Sequence, residues 1–497
     1  MILILLISQL SWPTYGLDSL HTSLQGGRGA LWSGNVVQKW AYLGGTSYYV
    51  PPAVVGDADD DGVMEVFAVN NDTKGHLVNA VTGAVEWTHT TGDIVHAGGL
   101  IRDVDADGST EVILVSEDGT VRCLRGTDGT EKWRHTTAST WYHSHPVACQ
   151  LDPDAELEIV VGGMAGAVYC IRGSNGADQW TLPFSALGSP AVADVDVDGL
   201  PEVVIGAQNG TVYCLSGATG ATEWTYSLGS NLMNSPAIGN LDGDAALETV
   251  IGGYDSTIVC LDGITGAPEW TYKANSWIGY ATPAIADLDK DGQLEVVVDA
   301  QSGTVYCFNG SNGAVEWTYS LGGSSRDSDP SIADIDGDGT LEVILMRDDG
   351  PIHVLNGPSG ALEWTYAGGG YHSVVIADID GDDCLELVHT DNGSTKRLVA
   401  LDDAGNASGC SAVGNEEKSG QGAVQFRAAG TGLYLSLPGQ AEVSLSLYDA
   451  QGRLVQVIYD GILGQGEYTF YPAPGARGVY MAVLMHEGGT RALRIVR

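Results

Sequence analysis

The sequence predicts an all-β protein: an eight-bladed β-propeller, its last blade closed by an N-terminal strand, followed by a small β-sandwich. Three observations predict it. An acidic loop pattern recurs eight times at spacings of 44–47 residues, and a period near 45 with several strands per unit marks a propeller. Each copy is followed by three β-branched or aromatic runs separated by Gly, Asn, Asp and Ser, which read as strands between turns. The eighth copy lacks the tryptophan that ends the other seven, and one matching segment stands before the first copy.

One repeat shows the parse. Pro283-Ala-Ile-Ala is a short first strand, and the acidic loop opens at Asp287. Glu295-Val-Val-Val is the second strand, Thr304-Val-Tyr-Cys-Phe the third, and Val315-Glu-Trp-Thr-Tyr the fourth. The repeat tryptophans are Trp87, Trp133, Trp180, Trp224, Trp270, Trp317 and Trp364, and Lys39-Trp40-Ala-Tyr42 supplies the eighth. A fourth strand taken from the N-terminus ties the ring shut and removes an exposed sheet edge. The propeller is expected over residues 30–408. A Gly, Ser, Ala and Glu-rich linker follows over 409–423. Residues 424–497 hold about seven further strand-like runs, the pattern of a small sandwich.

The acidic loops carry the strongest chemical signal. Alternate carboxylates on a tight turn converge on one point, Gly permits the turn, and hard oxygen ligands favour Ca²⁺. The spacing Asp-x-Asp-x-Asp-Gly-x-x-Glu is met by Asp57, Asp59, Asp61 and Glu65, and by Asp103, Asp105, Asp107 and Glu111. It recurs at Asp194, Asp196, Asp198 and Glu202, at Asp287, Asp289, Asp291 and Glu295, and at Asp334, Asp336, Asp338 and Glu342. The eighth loop keeps Asp378, Asp380, Asp382 and Glu386 but has Asp383 in place of Gly. The third has Gln150 before Asp152, Asp154 and Glu158, and the fifth Asn240 before Asp242, Asp244 and Glu248. Those two lose one charge and the Gly. Several of the eight loops are expected to hold Ca²⁺.

Composition excludes other classes. With 63 Asp and Glu against 22 Lys and Arg, the net charge is −41. Nucleic acid and anionic membrane surfaces need a basic footprint. Yet only 17% of residues are charged and 43% are hydrophobic, so the chain is not a disordered acidic tail. Met1-Ile-Leu-Ile-Leu-Leu-Ile7 is too short to span a bilayer and reads as the core of a secretory signal over residues 1–18. Cys123, Cys170, Cys214, Cys260 and Cys307 share one third-strand position, where other blades have Leu77, Val354 and Ala400. They are expected to be buried free thiols.

Strand polarity puts the acidic loops on one face and the fourth-to-first-strand connections on the other. Those connections vary most between repeats. They carry Tyr49, His96, Trp141, His143, His145, Trp277, Arg326, Tyr371 and His372, the candidate ligand face. Aromatic rings beside polar groups suit sugars or peptides.

The acidic loop with its following Leu-Glu-Val-Val resembles the FG-GAP and VCBS propeller repeats of integrin α subunits and bacterial surface proteins. The second half, as in Val212-Tyr-Cys-Leu-Ser-Gly-Ala-Thr219-Gly220-Ala-Thr-Glu-Trp224, resembles the PQQ-type, or quinoprotein-type, propeller repeat. Quinoprotein dehydrogenases carry a vicinal cysteine pair over the cofactor. No Cys-Cys occurs here, so no PQQ is expected. The C-terminal segment resembles the type IX secretion sorting domain and the related FlgD-like Ig domain, through Val443-Ser-Leu-Ser-Leu-Tyr-Asp-Ala-Gln-Gly-Arg-Leu-Val, Gly478-Val-Tyr-Met-Ala-Val-Leu and the basic end Arg491 to Arg497. That resemblance implies export by outer-membrane secretion machinery and an Ig-like fold for residues 424–497.

The sequence thus reads as a secreted or cell-surface, calcium-binding module for a glycan or protein ligand, with no catalytic residues assigned. The enzyme alternative is a polysaccharide-degrading, lyase-like protein, since some polysaccharide lyases use eight-bladed propellers with calcium loops. A third alternative is a scaffold for surface-protein assembly. No nucleic-acid partner and no membrane span are expected.

Overall fold

The computed structural model describes residues 24–403, apart from 33, 44–52, 71–72, 138–143, 165, 326–327, 349, 371–372, 383 and 392–396, and seven strands between residues 425 and 496. The expected signal segment 1–18 and expected linker 409–423 lie outside the described residues. The chain divides into two compact units, one over Leu10–Cys410 and one containing Ser411–Arg497.

The first unit is an eight-bladed propeller. Six blades are separate antiparallel four-stranded sheets in sequence order. Blade 4 is typical, with strands Ala191–Ala193, Glu202–Gly206, Thr211–Ser216 and Thr222–Ser227. The first strands of successive blades touch around the centre, and that of blade 8, Val375–Ala377, meets that of blade 1, Val54–Gly56. Second strands are buried along their length, because they face neighbouring blades on both sides. Fourth strands are exposed except at the tryptophan. Hydrophobic clusters therefore form between blades: Trp224 and Cys214 of blade 4 pack with Ile238, Ile251 and Val259 of blade 5.

Closure follows the expectation from the missing tryptophan. Val36–Tyr42 is the fourth strand of blade 8 and pairs antiparallel with Arg397–Asp403, setting Trp40 opposite Ala400. The structure adds a device that the sequence did not disclose. Leu24–Gly29 runs parallel to the first strand of blade 7, Ser331–Asp334, and also pairs with Cys384–Asp391 of blade 8. It joins the two last blades into one nine-stranded sheet. A Cβ on Gly29 would stand 2.0 Å from the Ile335 carbonyl oxygen, so only glycine lets the backbones approach this closely.

The tryptophans dock each blade on the next, all but Trp364 through a hydrogen bond as well as packing. The Trp224 indole N–H donates to the Gly263 carbonyl at 2.7 Å, and its ring lies under Gly266, whose φ is +65°. The same bond recurs from Trp87 to Gly126, Trp133 to Gly173, Trp180 to Gly217, Trp270 to Gly310 and Trp317 to Gly357. Trp40 bonds Ala80 likewise, across the closure. Across its own sheet, each tryptophan faces the third-strand slot: Trp87 faces Leu77, Trp224 Cys214 and Trp364 Val354. The five cysteines of that slot are buried and free, as expected.

Every fourth strand also carries a β-bulge in the same place. In blade 4, Trp224 pairs with Cys214 but Thr222 pairs with Leu215, so Glu223 is the extra residue. The extra residue is Lys39, Glu86, Lys132, Gln179, Glu269, Glu316 and Glu363 in the other blades. A bulge re-aims a side chain that strict alternation would point elsewhere.

The second unit has seven described strands in two antiparallel sheets. One is Gln425–Ala429, Gly432–Leu437 and Gly466–Phe470, and the other is Leu454–Leu463, Ala441–Asp449, Val479–His486 and Gly489–Val496.

Candidate functional site

The acidic loops join first to second strands, and their backbones follow from the spacing. In loop 1 the Asp57 carboxylate accepts from the Gly62 N–H at 3.0 Å, and Asp61 accepts from Val63 at 2.8 Å. Gly62 has φ +88°, and Gly108, Gly199, Gly292 and Gly339 match it between +87° and +93°. That region strains any L side chain, which accounts for Gly at the sixth position. In loops 3 and 5 a side-chain amide does the turning. Gln150 donates to the Asp152 and Asp154 carbonyls, each at 2.6 Å, and Asn240 to the Asp244 carbonyl at 2.6 Å.

The ninth-position glutamate is the least predictable part. In all eight loops one carboxylate oxygen accepts the N–H of the loop's second residue, as Glu65 does from Ala58 at 2.8 Å and Glu342 from Ile335 at 2.8 Å. The other oxygen of Glu65, Glu158, Glu248 and Glu342 is buried and has no hydrogen-bond partner. These four residues are fully buried. Carboxylate oxygens of Asp57, Asp59 and Glu65 lie within 4.8 Å of one another, as do those of Asp103, Asp105 and Glu111 and of Asp194, Asp196 and Glu202. Loops 3 and 5 assemble Asp152, Asp154 and Glu158, and Asp242, Asp244 and Glu248. Such clusters of hard oxygens can hold a divalent cation.

Burial, and then neighbouring carboxylates, push the glutamates far above the usual range. Glu65 and Glu202 rise to about 8, Glu342 to about 9 and Glu386 to about 10, while Glu158, Glu248 and Glu295 rise to about 7. The loop N–H bond opposes the rise but does not cancel it. A cation among these oxygens would reverse the effect by favouring the charged form.

On the opposite face, Tyr49, Trp141, His143, Arg326, Tyr371 and His372 lie outside the described residues. The three described candidates are engaged within the fold. His145 is buried, and its Nδ1 accepts the Gly98 N–H at 3.1 Å. This contact belongs to a belt that sequence reasoning missed. Among the described residues, those five positions before several of the acidic loops link blade to blade: the His145 N–H donates to Ser189 Oγ at 3.0 Å, Ser189 to Ser235 at 2.9 Å, Thr282 to Asp329 at 2.5 Å and Asp329 to Ser373 at 3.2 Å. The chain uses His, Ser, Asp and Thr interchangeably there, so no single residue type repeats to reveal it. His96 pairs with Glu117. Trp277 packs on Tyr254, ring centroids 4.2 Å apart.

Eight antiparallel blades docked through tryptophan, with an acidic loop on each, define a repeat β-propeller. Residues 62–201 and 165–407 match the family described as outer membrane protein assembly factor BamB, and the chain belongs to that family. Among solved structures it is similar to BamB from Moraxella catarrhalis, at 17% identity and TM-score 0.53 over 74% of this chain and 97% of that one. It is similar to the V. cholerae biofilm matrix protein Bap1, at 15% identity and TM-score 0.60 over 76% and 92%. It is also similar to quinohemoprotein alcohol dehydrogenase from Comamonas testosteroni, at 12% identity and TM-score 0.60 over 80% and 81%. At these identities the likeness shows the fold alone. No curated protein sequence matches the chain.

Proposed function

We propose that this protein is an exported, calcium-loaded propeller that binds a protein or glycan partner at the cell surface through the face carrying the fourth-to-first-strand connections. The calcium reading rests on the buried, unpartnered oxygens of Glu65, Glu158, Glu248 and Glu342, each within its acidic loop. Burying a carboxylate oxygen without a partner is costly, and a hard cation relieves it. The binding reading rests on a contrast between faces. The acidic loops repeat closely, while the connections differ in length and sequence. Its kin include an assembly factor family and share the fold of a biofilm matrix protein, which fits recognition rather than turnover. Export is supported by Cys384, which is disulfide-bonded, since disulfides persist in oxidising compartments. The two C-terminal sheets fit an Ig-like sorting or anchoring module.

The test is direct. The calcium-loaded chain is offered to arrayed glycans and to surface-protein extracts, with absorbance of unsaturated uronates followed in parallel. Saturable binding that falls at least tenfold in Arg326→Ala or Trp277→Ala supports the reading. Growth of uronate absorbance would replace it with a lyase.

A further inference from the structure

We infer that the eight acidic loops are not equivalent cation sites: the bulge residue before each docking tryptophan decides which take a divalent cation, so that five do and two are filled by a lysine of the chain itself. This rests on the calcium reading above and adds to it a rule for occupancy.

Blade 2 shows the substitution. The bulge residue there is Lys132, and its ammonium lies 2.6 Å from Asp105, 3.0 Å from Asp107 and 2.9 Å from Glu111. These are three ligand positions of its own loop. The ammonium bonds Glu111 Oε1, the oxygen that has no partner in Glu65, Glu158, Glu248 and Glu342. Blade 8 repeats the solution from the far end of the chain. Lys39 reaches Asp380 of the eighth loop at 2.6 Å and Asp402 of the adjoining strand at 2.7 Å. Both lysines are largely buried. An ammonium is a compact point charge with three donors, so it satisfies carboxylates where an ion would otherwise sit. It also excludes that ion by charge and by volume.

Blades 1, 4, 5, 6 and 7 do the opposite. Their bulge residues are Glu86, Glu223, Glu269, Glu316 and Glu363. Each occupies the bulge position that brings Lys132 into its loop in blade 2, and third-strand groups hold some of them: Asn79 donates to Glu86 and Asn356 to Glu363, both at 3.1 Å. A carboxylate at this position supplies no positive charge to the loop, so the loop oxygens that an ammonium satisfies in blade 2 are left for a divalent cation. Each of these blades keeps a buried, unpartnered loop oxygen, at Glu65, Asp194, Glu248, Asp287 and Glu342. Asp103 and Asp380 keep one too, but an ammonium already stands in each of those loops. Blade 3 lies between the two classes. Its neutral Gln179 donates to Asp152 at 3.2 Å, which takes up one ligand oxygen without supplying charge. Glu158 keeps an unpartnered oxygen there, so this loop is assigned the weakest affinity and fills only at high calcium.

The experiment counts calcium in the full chain by elemental analysis after equilibrium dialysis at moderate calcium. Lys132→Glu and Glu269→Lys are measured beside the wild type, and circular dichroism checks folding. The rule expects about five ions in the wild type, six in Lys132→Glu and four in Glu269→Lys. Lys132→Glu should also melt below the wild type in EDTA and gain more from added calcium. Lys132→Gln serves if the glutamate variant does not fold; it should lose stability in EDTA and regain part of it with calcium. A wild type with eight ions, or an unchanged count in folded Lys132→Glu, would overturn the rule and leave calcium binding standing. A wild type with none, melting alike in calcium and EDTA, would overturn the calcium reading itself.

Discussion

Single residues in this protein are legible where they repeat and opaque where only their role repeats. The Trp and the turn Gly four residues before it stand in register along the chain, so the repeat pattern alone marks them as docking residues. The geometry then says why each Gly is needed. A Cβ on Gly266 would sit 2.5 Å from the Trp224 ring, at a φ of +65°. We expect Gly266→Ala to lose about 2–4 kcal/mol in chemical denaturation, combining left-handed strain with overpacking. A loss below about 0.5 kcal/mol would contradict the docking role. His145 is the opposite case. In sequence it stands in an aromatic and histidine cluster and looks like a ligand group. In the fold it is a hydrogen-bond acceptor for Gly98 where neighbouring blades use Ser. His145→Ala leaves a buried N–H unpaired and should cost about 1–3 kcal/mol. His145→Ser, which copies the adjacent blade, should recover most of that and leave partner binding unchanged.

At the level of the element, the acidic loop was visible as a spacing of carboxylates, but the part played by its neighbours was not. Lys132 and Lys39 lie 21 or more positions from the loop carboxylates that they bond, and a bulge turns them there. Strict strand alternation gives no warning of that. The glutamates inside the loops make the fold sensitive to pH. A carboxyl that the fold holds at about 7 to 10 keeps its proton there, while the unfolded chain releases it near 4.5. The unfolded state therefore binds fewer protons between those values, and stability falls as pH rises through them. In EDTA the melting temperature should decline from about pH 5 to about pH 8.5. With calcium the carboxylates are held charged, and the decline should shrink or vanish. Parallel melting profiles in the two buffers would contradict this coupling.

Over the whole molecule, the ring and its number of blades were legible from period and from one displaced tryptophan. The strand Leu24–Gly29 was not, because its sequence, Leu-Gln-Gly-Gly-Arg-Gly, has almost nothing that favours a strand, and its partners lie far along the chain, from Ile332 onward. Its importance can be tested at one atom. Gly29→Ala puts a methyl into the Ile335 carbonyl, and we expect a loss of about 1–3 kcal/mol with the closing blade loosened first in hydrogen exchange. The charge of −41 is also a whole-molecule property with a local origin, since 30 of the 63 acids occupy the four acidic positions of the eight loops. Chelation should therefore lower the melting temperature and expand the molecule in solution scattering; neither change would occur if the loops were merely acidic turns.

The closure of blade 8 has a consequence for how the protein comes to exist. Lys39 meets its partners across 341 and 363 positions, so the strand that locks the ring is synthesised long before its partner and is the last to be paired. Loop-closure entropy grows only with the logarithm of length, which makes the lock inexpensive at equilibrium. The search for so distant a partner is nevertheless slow. Until it succeeds, Arg397–Asp403 presents an open edge to any other strand, including its counterpart in a second chain. The time spent as an open ring, more than the stability of the finished one, sets how often this propeller mispairs.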